Sequence, residues 1–144
     1  MPLTLTLTQG VLPEGAEADA IAQLTHAMLD AHGLADNALM ARNITAQVNV
    51  LPKQHCFSGG KPFSGAWIEW KVPAFAFSQP DVQQQYCRHA TDIIEQLSGH
   101  KHPRENIYIN VVHAVDGAWN FEGAALTNVQ ILGAISENAA TQPN

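Results

Sequence analysis

The sequence carries one β-α-β pattern twice, and this internal repeat restricts the possible folds more than any other feature. The dipeptide Asn43-Ile44 recurs as Asn106-Ile107 at an offset of 63 residues. The segment Phe57-Ser58-Gly59-Gly60 is matched by Phe121-Glu122-Gly123-Ala124 at an offset of 64. A constant period of this kind indicates a supersecondary unit that is used more than once. The chain is therefore expected to fold as two similar halves.

Each half contains a strand, an amphipathic helix and a second strand. The period-2 and helical patterns predict strands at 2–8, 43–50, 66–72 and 106–112, one helix near 16–32 and another from the N-cap Ser78 to Gly99. A crossover helix makes the two strands of a unit parallel. Two units side by side predict an α+β fold, α/β by its local units. Its core is a four-stranded mixed sheet with both helices on one face.

The length of 144 residues is that of one domain. We predict a single domain over residues 1–144, with pseudo-repeats at about 2–62 and 65–125. The remainder, at about 126–144, is predicted to be a C-terminal tail that becomes loose from about Glu137.

The second face of the predicted sheet alternates Leu and Ile with Thr, Gln and Asn. Hydrophobic residues make up 46% of the chain and charged residues only 14%, so few charges are available to solvate an open face. A sheet that is covered on one side only favours a partner layer. The composition therefore predicts a closed homo-oligomer.

Several classes of protein are disfavoured by composition. A net charge of −6 and 7 scattered Lys and Arg residues argue against nucleic-acid binding. No run reaches the length of a membrane span, and no signal-peptide pattern is present. Cys56 and Cys87 are far apart and indicate a reduced, cytoplasmic setting. The seven histidines lack zinc-type spacing, so no metal site is predicted.

The start of the chain, Met1-Pro2, is the most reactive position that the sequence offers. Proline is tolerated at the first residue of a strand, so Pro2 can be a purely structural residue. Alternatively, removal of Met1 leaves Pro2 as a free secondary amine, and α-amino groups have a pKa near ~8. Burial lowers this pKa further, and a neutral amine is a general base or a nucleophile.

Four segments beside the Met-Pro start carry a resemblance to a known family. They are Asp30-Ala31-His32, Ala46-Gln47-Val48-Asn49, Gly59-Gly60 and Ile107 to Val111. In this order and spacing, over roughly residues 2–125, the chain resembles the tautomerase superfamily, closest to the cis-3-chloroacrylic acid dehalogenase-like group of fused double β-α-β chains. The resemblance implies a homotrimer whose N-terminal proline acts as base or acid.

The resemblance also implies roles for further residues. His32 matches a histidine that helps to bind the substrate carboxylate. Asn110 falls at the position of an active-site tyrosine, and the water-activating glutamate falls on Phe121 or Glu122. The family's arginine pair has no counterpart, because residues 72–78 contain no arginine.

The leading interpretation is an isomerase. Pro2 would be the base of a keto–enol tautomerase acting on a small carboxylate, a 2-oxo acid or its enol of the phenylenolpyruvate kind, with no cofactor. Lys71 and Arg42 would hold the carboxylate, Asn110 would donate a hydrogen bond, and Phe75 would line an apolar pocket.

Two alternatives remain open at this stage. In a hydratase or weak cis-3-chloroacrylate-type dehalogenase, protonated Pro2 would act as the acid and Glu122 would activate water. If Met1 is retained, the Pro2 nitrogen is an amide without basicity, and the chain would be a non-catalytic trimeric binding protein.

Overall fold

A computed structural model describes residues 1–140 of the chain, with side chains described through Glu137. The strands of the main sheet are β1 (Pro2–Thr8), β2 (Thr45–Leu51), β5 (Ala66–Pro73) and β6 (Ile107–Ala114). Two short hairpins are formed by β3 (Phe57–Ser58) with β4 (Lys61–Pro62) and by β7 (Trp119–Phe121) with β8 (Ala124–Leu126). The helices are α1 (Glu17–Ala31), α2 (Ala38–Asn43), α3 (Pro80–Leu97) and α4 (Asn128–Ala140).

The four long strands form one mixed sheet in the order β2-β1-β5-β6. Strands β1 and β2 are parallel, as are β5 and β6, and each pair is joined by a crossover that contains a helix. The two units meet through the antiparallel pair of β1 and β5. The predicted four-stranded mixed sheet built from two β-α-β units is therefore confirmed.

Helices α1 and α3 pack side by side on one face of this sheet. Leu3, Leu5 and Leu7 of β1 point into that layer because side chains alternate along a strand. Alternate residues of β5, from Ala66 to Val72, do the same and are fully buried. The hydrophobic core thus lies between one sheet face and the two long helices.

The C-terminal segment differs from the predicted tail. Helix α4 covers residues 128–140, and its Ile131 and Ile135 are buried in the core cluster. Asn37 caps α2 by accepting a hydrogen bond from the Met40 amide, and its side-chain nitrogen donates to the Ile135 carbonyl. The expectation of a loose tail from Glu137 is wrong as far as residue 140, and residues 141–144 lie outside the described part of the chain.

The second face of the sheet carries the side chains that point away from the helices. Because paired residues lie level, these side chains form rows across the four strands. The rows are Gln47–Thr4–Glu69–Asn110 and Asn49–Thr6–Trp67–Tyr108, with Pro2, Thr45, Lys71 and Val112 at the end where β1 begins. We call this surface the open face.

Candidate active site

Pro2 is the first residue of a central strand and points to the open face. It lies level with Thr45 of β2. On the other side, the pairing of Leu3 with Trp70 brings Lys71 level with Pro2 one residue further on. The proline ring is exposed, whereas Leu3 beside it is buried. The fold therefore places Pro2 and Lys71 side by side at one end of the sheet.

Met1 lies directly before the start of β1 and fills the space there. Only 6% of its surface is exposed, and its side chain belongs to the hydrophobic core. Its amine donates a hydrogen bond to the Asn43 carbonyl, and its own carbonyl accepts one from the Thr45 amide. Burial lowers the pKa of this amine from 8.0 to about 6. The Met1 amine is therefore mostly neutral at pH 7.

A short row of polar side chains runs along the open face from Pro2. The Lys71 ammonium lies 3.2 Å from a Glu69 carboxylate oxygen. Asn110 of β6 is level with Glu69, so three of the sequence-predicted site residues, Pro2, Lys71 and Asn110, share one face. Both members of the ion pair are partly exposed, so their attraction is screened by water. Lys71 can therefore exchange Glu69 for another carboxylate at little cost.

Arg42 and Glu122 are brought together from opposite halves of the chain. Their side chains approach to 4.0 Å and are 68% and 74% exposed. Glu122 lies in the turn between β7 and β8 with a φ of +50°. Arg42 directly precedes Asn43, whose carbonyl holds the Met1 amine. This exposed pair therefore lies at the same end of the fold as Pro2.

His32 has both ring nitrogens engaged within the chain. The Phe77 amide donates to Nε2 at 3.0 Å, so this nitrogen carries no proton. Nδ1 therefore carries the proton and donates it to the Met28 carbonyl at 2.8 Å. The ring also packs edge-on against Phe77, with ring centroids 4.6 Å apart. In this arrangement His32 holds the loop that follows β5.

The loop between β5 and α3 is also held from the second half of the chain. His113 at the end of β6 donates from Nε2 to the Ala76 carbonyl at 2.8 Å. Phe77 is buried and has a φ of +54°, a conformation that costs energy for a residue with a side chain. Phe75 is half-buried and packs against the core. These contacts hold the loop in one position. The loop carries no arginine and contributes an apolar surface.

Replacing His32 by Leu should release this loop. We expect the Phe77 amide to exchange with solvent at least about tenfold faster, because it loses its acceptor. Hydrogen exchange measured by NMR would show this. His26→Leu is the matched control, since His26 is exposed on α1, the helix that His32 directly follows. Equal protection of Phe77 in both variants would contradict the assigned role of His32.

Sequence reasoning missed two residues of this region, Glu69 and His113. Glu69 could have been found, because the period of two places it on the same face as Lys71. His113 lies near the end of a predicted strand, but nothing local indicates that it reaches the Ala76 carbonyl. The described residues contain no cluster of three metal-ligating side chains. None of the helices within residues 1–140 is long and apolar enough to cross a bilayer.

The sequence matches no protein-family model and no curated protein. Solved structures do match. The R7 fused 4-OT, an asymmetric trimer, aligns with a TM-score of 0.73 at 18% identity, covering 92% of this chain and 99% of that chain. N1, a member of the cis-3-chloroacrylic acid dehalogenase family, aligns with a TM-score of 0.74 at 15% identity, covering 99% and 93%. Pt0534, inactivated by 2-oxo-3-pentynoate, aligns with a TM-score of 0.72 at 10% identity, covering 91% of this chain and 98% of that chain.

These matches define a class of fold. The chain has the duplicated β-α-β fold of fused 4-OT proteins. The same fold is found in a member of the cis-3-chloroacrylic acid dehalogenase family, so the resemblance to the tautomerase superfamily is confirmed at the level of the fold.

Proposed function

We propose that this chain is a keto–enol tautomerase that acts on a 2-oxo acid or its enol and uses Pro2 as the proton carrier. The observation that carries the proposal is the environment of the N-terminus. The fold sets Pro2 level with Lys71 at one end of the sheet, so a base and a cation for the carboxylate lie side by side. An α-amine has an ordinary pKa near ~8, and its neutral form can accept a proton near pH 7.

Removal of Met1 would create the proposed active site through two changes. It converts the Pro2 nitrogen from an amide into a secondary amine with a free electron pair. It also vacates the space of a buried side chain directly beside that nitrogen. The enol of a substrate can enter this space while its carboxylate reaches Lys71 on the open face.

The reaction balances without a cofactor. The Pro2 nitrogen accepts the proton of the enol hydroxyl, and the electrons of the O–H bond form the carbonyl. The electrons of the C=C bond then take the proton from Pro2 at carbon. The Asn110 amide donates to the oxygen on which charge develops, and such donors stabilise the transition state. Arg42 and Lys71 supply positive charge for the carboxylate.

Lys71→Ala should raise KM about tenfold for a carboxylate substrate, because the ammonium contributes a charge-assisted hydrogen bond. The kcat should change less, since that contact exists before and during proton transfer. Steady-state ketonisation of phenylenolpyruvate measures both. Glu69→Gln combined with Lys71→Ala removes the repulsion of the unpaired Glu69. Lys61→Ala on β4 is the surface control, and an equal effect of Lys61 and Lys71 would contradict the assignment.

We further propose that the open face is covered by two other copies of the chain in a homotrimer. Phe63, Trp67 and Tyr108 form a cluster of ring contacts on this face, and Tyr108 is exposed. The R7 fused 4-OT, which shares the fold, is a trimer. Sedimentation equilibrium at micromolar concentration should give three times the chain mass, and a stable monomer would contradict this proposal.

A further inference from the structure

A cavity lies at the end of the sheet opposite to Pro2. It has a volume of about 430 Å³ and lies between the loops that follow β1, β2 and α3. Its lining includes Gln9 to Pro13, Lys53, Ser64, Ser98, Lys101 and His102. None of these residues belongs to the site proposed for Pro2, so the cavity needs its own explanation.

The two halves of the chain explain where this cavity lies. Strands β1 and β5 pair antiparallel about Leu5 and Ile68, so a local twofold axis relates the two β-α-β units. Under this relation the loop after β1 corresponds to the loop after β5. Ser98, which precedes Gly99, corresponds to His32, which precedes Gly33. The cavity is therefore the counterpart, in the second unit, of the Pro2 site.

The counterpart cannot repeat the proline chemistry. At the start of β5 the chain continues through Ser64, Gly65 and Ala66, so no free amine exists there. A side chain at Gly65 is also excluded, because its Cβ would lie 2.6 Å from Cε1 of Phe63 and 2.9 Å from Cη2 of Trp67. The second site therefore has a cavity but no free amine.

The charges around the cavity are those of an anion site. Lys53 and Lys101 both line it, although the whole chain has only 7 Lys and Arg residues. Neither lysine forms an ion pair with a carboxylate of the described residues. The neighbouring cavity on the other side of the Gln9–Leu12 loop is lined instead by Glu14 and Glu17. An anion is therefore expected to bind in the cavity lined by the two lysines rather than in the one lined by the two glutamates.

The polar groups of the cavity also favour donation to a ligand. The Ser98 hydroxyl is engaged, since it donates to the Glu95 carbonyl at 2.7 Å and accepts from the His102 amide at 3.3 Å. The Ser64 carbonyl accepts from Asn106, but no partner within residues 1–140 binds the Ser64 hydroxyl. Two ammonium groups and one free hydroxyl remain available to an oxyanion.

We propose that this cavity is a second, non-catalytic site for a small anion with two negative charges, a dicarboxylate or a phosphate. Two unpaired ammonium groups match two negative charges, and their exposure sets the affinity in the millimolar range. The proposal does not depend on the activity of Pro2.

Titration of ¹⁵N-labelled protein with malonate, and separately with inorganic phosphate, tests this site. We expect saturable shifts of the Gly10 and Ser98 amides with at least one of the two anions at constant ionic strength. The double variant Lys53→Ala with Lys101→Ala should raise the half-saturation concentration at least about tenfold, because both cations are lost. Lys61→Ala, outside the cavity, should leave it unchanged, and so should Pro2→Ala.

Each result decides the question. Malonate binding alone identifies a carboxylate site, and phosphate binding alone identifies a phosphate site. Shifts that do not saturate with either anion would overturn the proposal. So would shifts that persist in the double lysine variant. A tautomerase-inactive protein that still binds through Lys53 and Lys101 would leave this proposal intact while refuting the role of Pro2.

Discussion

Pro2→Ala should lower kcat/KM for phenylenolpyruvate ketonisation by about 10²-fold. Alanine at position 2 also permits removal of Met1, so the variant keeps a primary α-amine, with a pKa near ~8 when unperturbed. The variant loses the pyrrolidine ring, which fixes the position of the nitrogen at the start of β1. General acid–base catalysis contributes roughly 10²–10⁴-fold, and a mobile amine retains part of it.

A second form of the protein should lose still more activity. Acylation of the N-terminal nitrogen, or retention of Met1, leaves an amide at Pro2, and the full 10²–10⁴-fold contribution should disappear. Thr4→Ala is the matched control, because Thr4 lies on the same strand and the same face. If Pro2→Ala and Thr4→Ala have the same small effect, Pro2 is a structural residue.

Trp70→Ala should lower the free energy of unfolding by about 3–5 kcal/mol, the largest change in stability expected from one substitution here. Trp70 is fully buried on the helix face of β5, and its indole N–H donates to the Tyr86 hydroxyl at 2.6 Å. The substitution leaves a large cavity and an unpaired buried hydroxyl. Tyr86 is 1% exposed, and its burial keeps the hydroxyl protonated by raising its pKa.

Tyr86→Phe separates the two causes. It keeps the aromatic ring in the core and removes only the hydroxyl that accepts the Trp70 N–H, so the cost should be about 1–3 kcal/mol. Urea unfolding at one fixed protein concentration measures both variants, because the stability of an oligomer depends on concentration. A cost below about 1 kcal/mol for Trp70→Ala would contradict the packing described for this core.

The sheet and the long helices could be predicted because they have clear periods and occur twice. The alternation of Leu and Thr after Pro2 defines β1, and the repeat at Asn106 defines β6. Helix α2 could not be predicted, because its six residues are too few to show a period. The segment of α4 does not show up as a helix in the sequence, because its last residues, from about Glu137, are small and polar. Burial of Ile131 and Ile135 stabilises it instead.

The candidate site was predictable only where neighbouring strands determine it. Pro2, Lys71 and Asn110 share a face because the strand register places them there. The contacts of His32 could not be inferred in the same way, since Phe77 lies 45 residues away. The pairing of Arg42 with Glu122 likewise joins the two halves of the chain. Such contacts depend on tertiary packing that no local pattern encodes.

Covalent labelling of the N-terminus is the most direct test of the role of Pro2. In 2-oxo-3-pentynoate the alkyne is conjugated to a ketone, so a neutral amine can add to it. The Pro2 nitrogen would form a bond to the β-carbon, and the amine proton would pass to the α-carbon. Intact mass, peptide mapping and residual activity can be followed in one time course.

We predict that the active protein lacks Met1 and gains one adduct per chain. The adduct should map to Pro2, and activity should be lost in step with labelling. Labelling should slow as the pH falls below the pKa of the Pro2 amine, because the protonated nitrogen has no free electron pair. Full activity in a chain that retains Met1, or inactivation by an adduct at any other residue, would contradict the central role of Pro2.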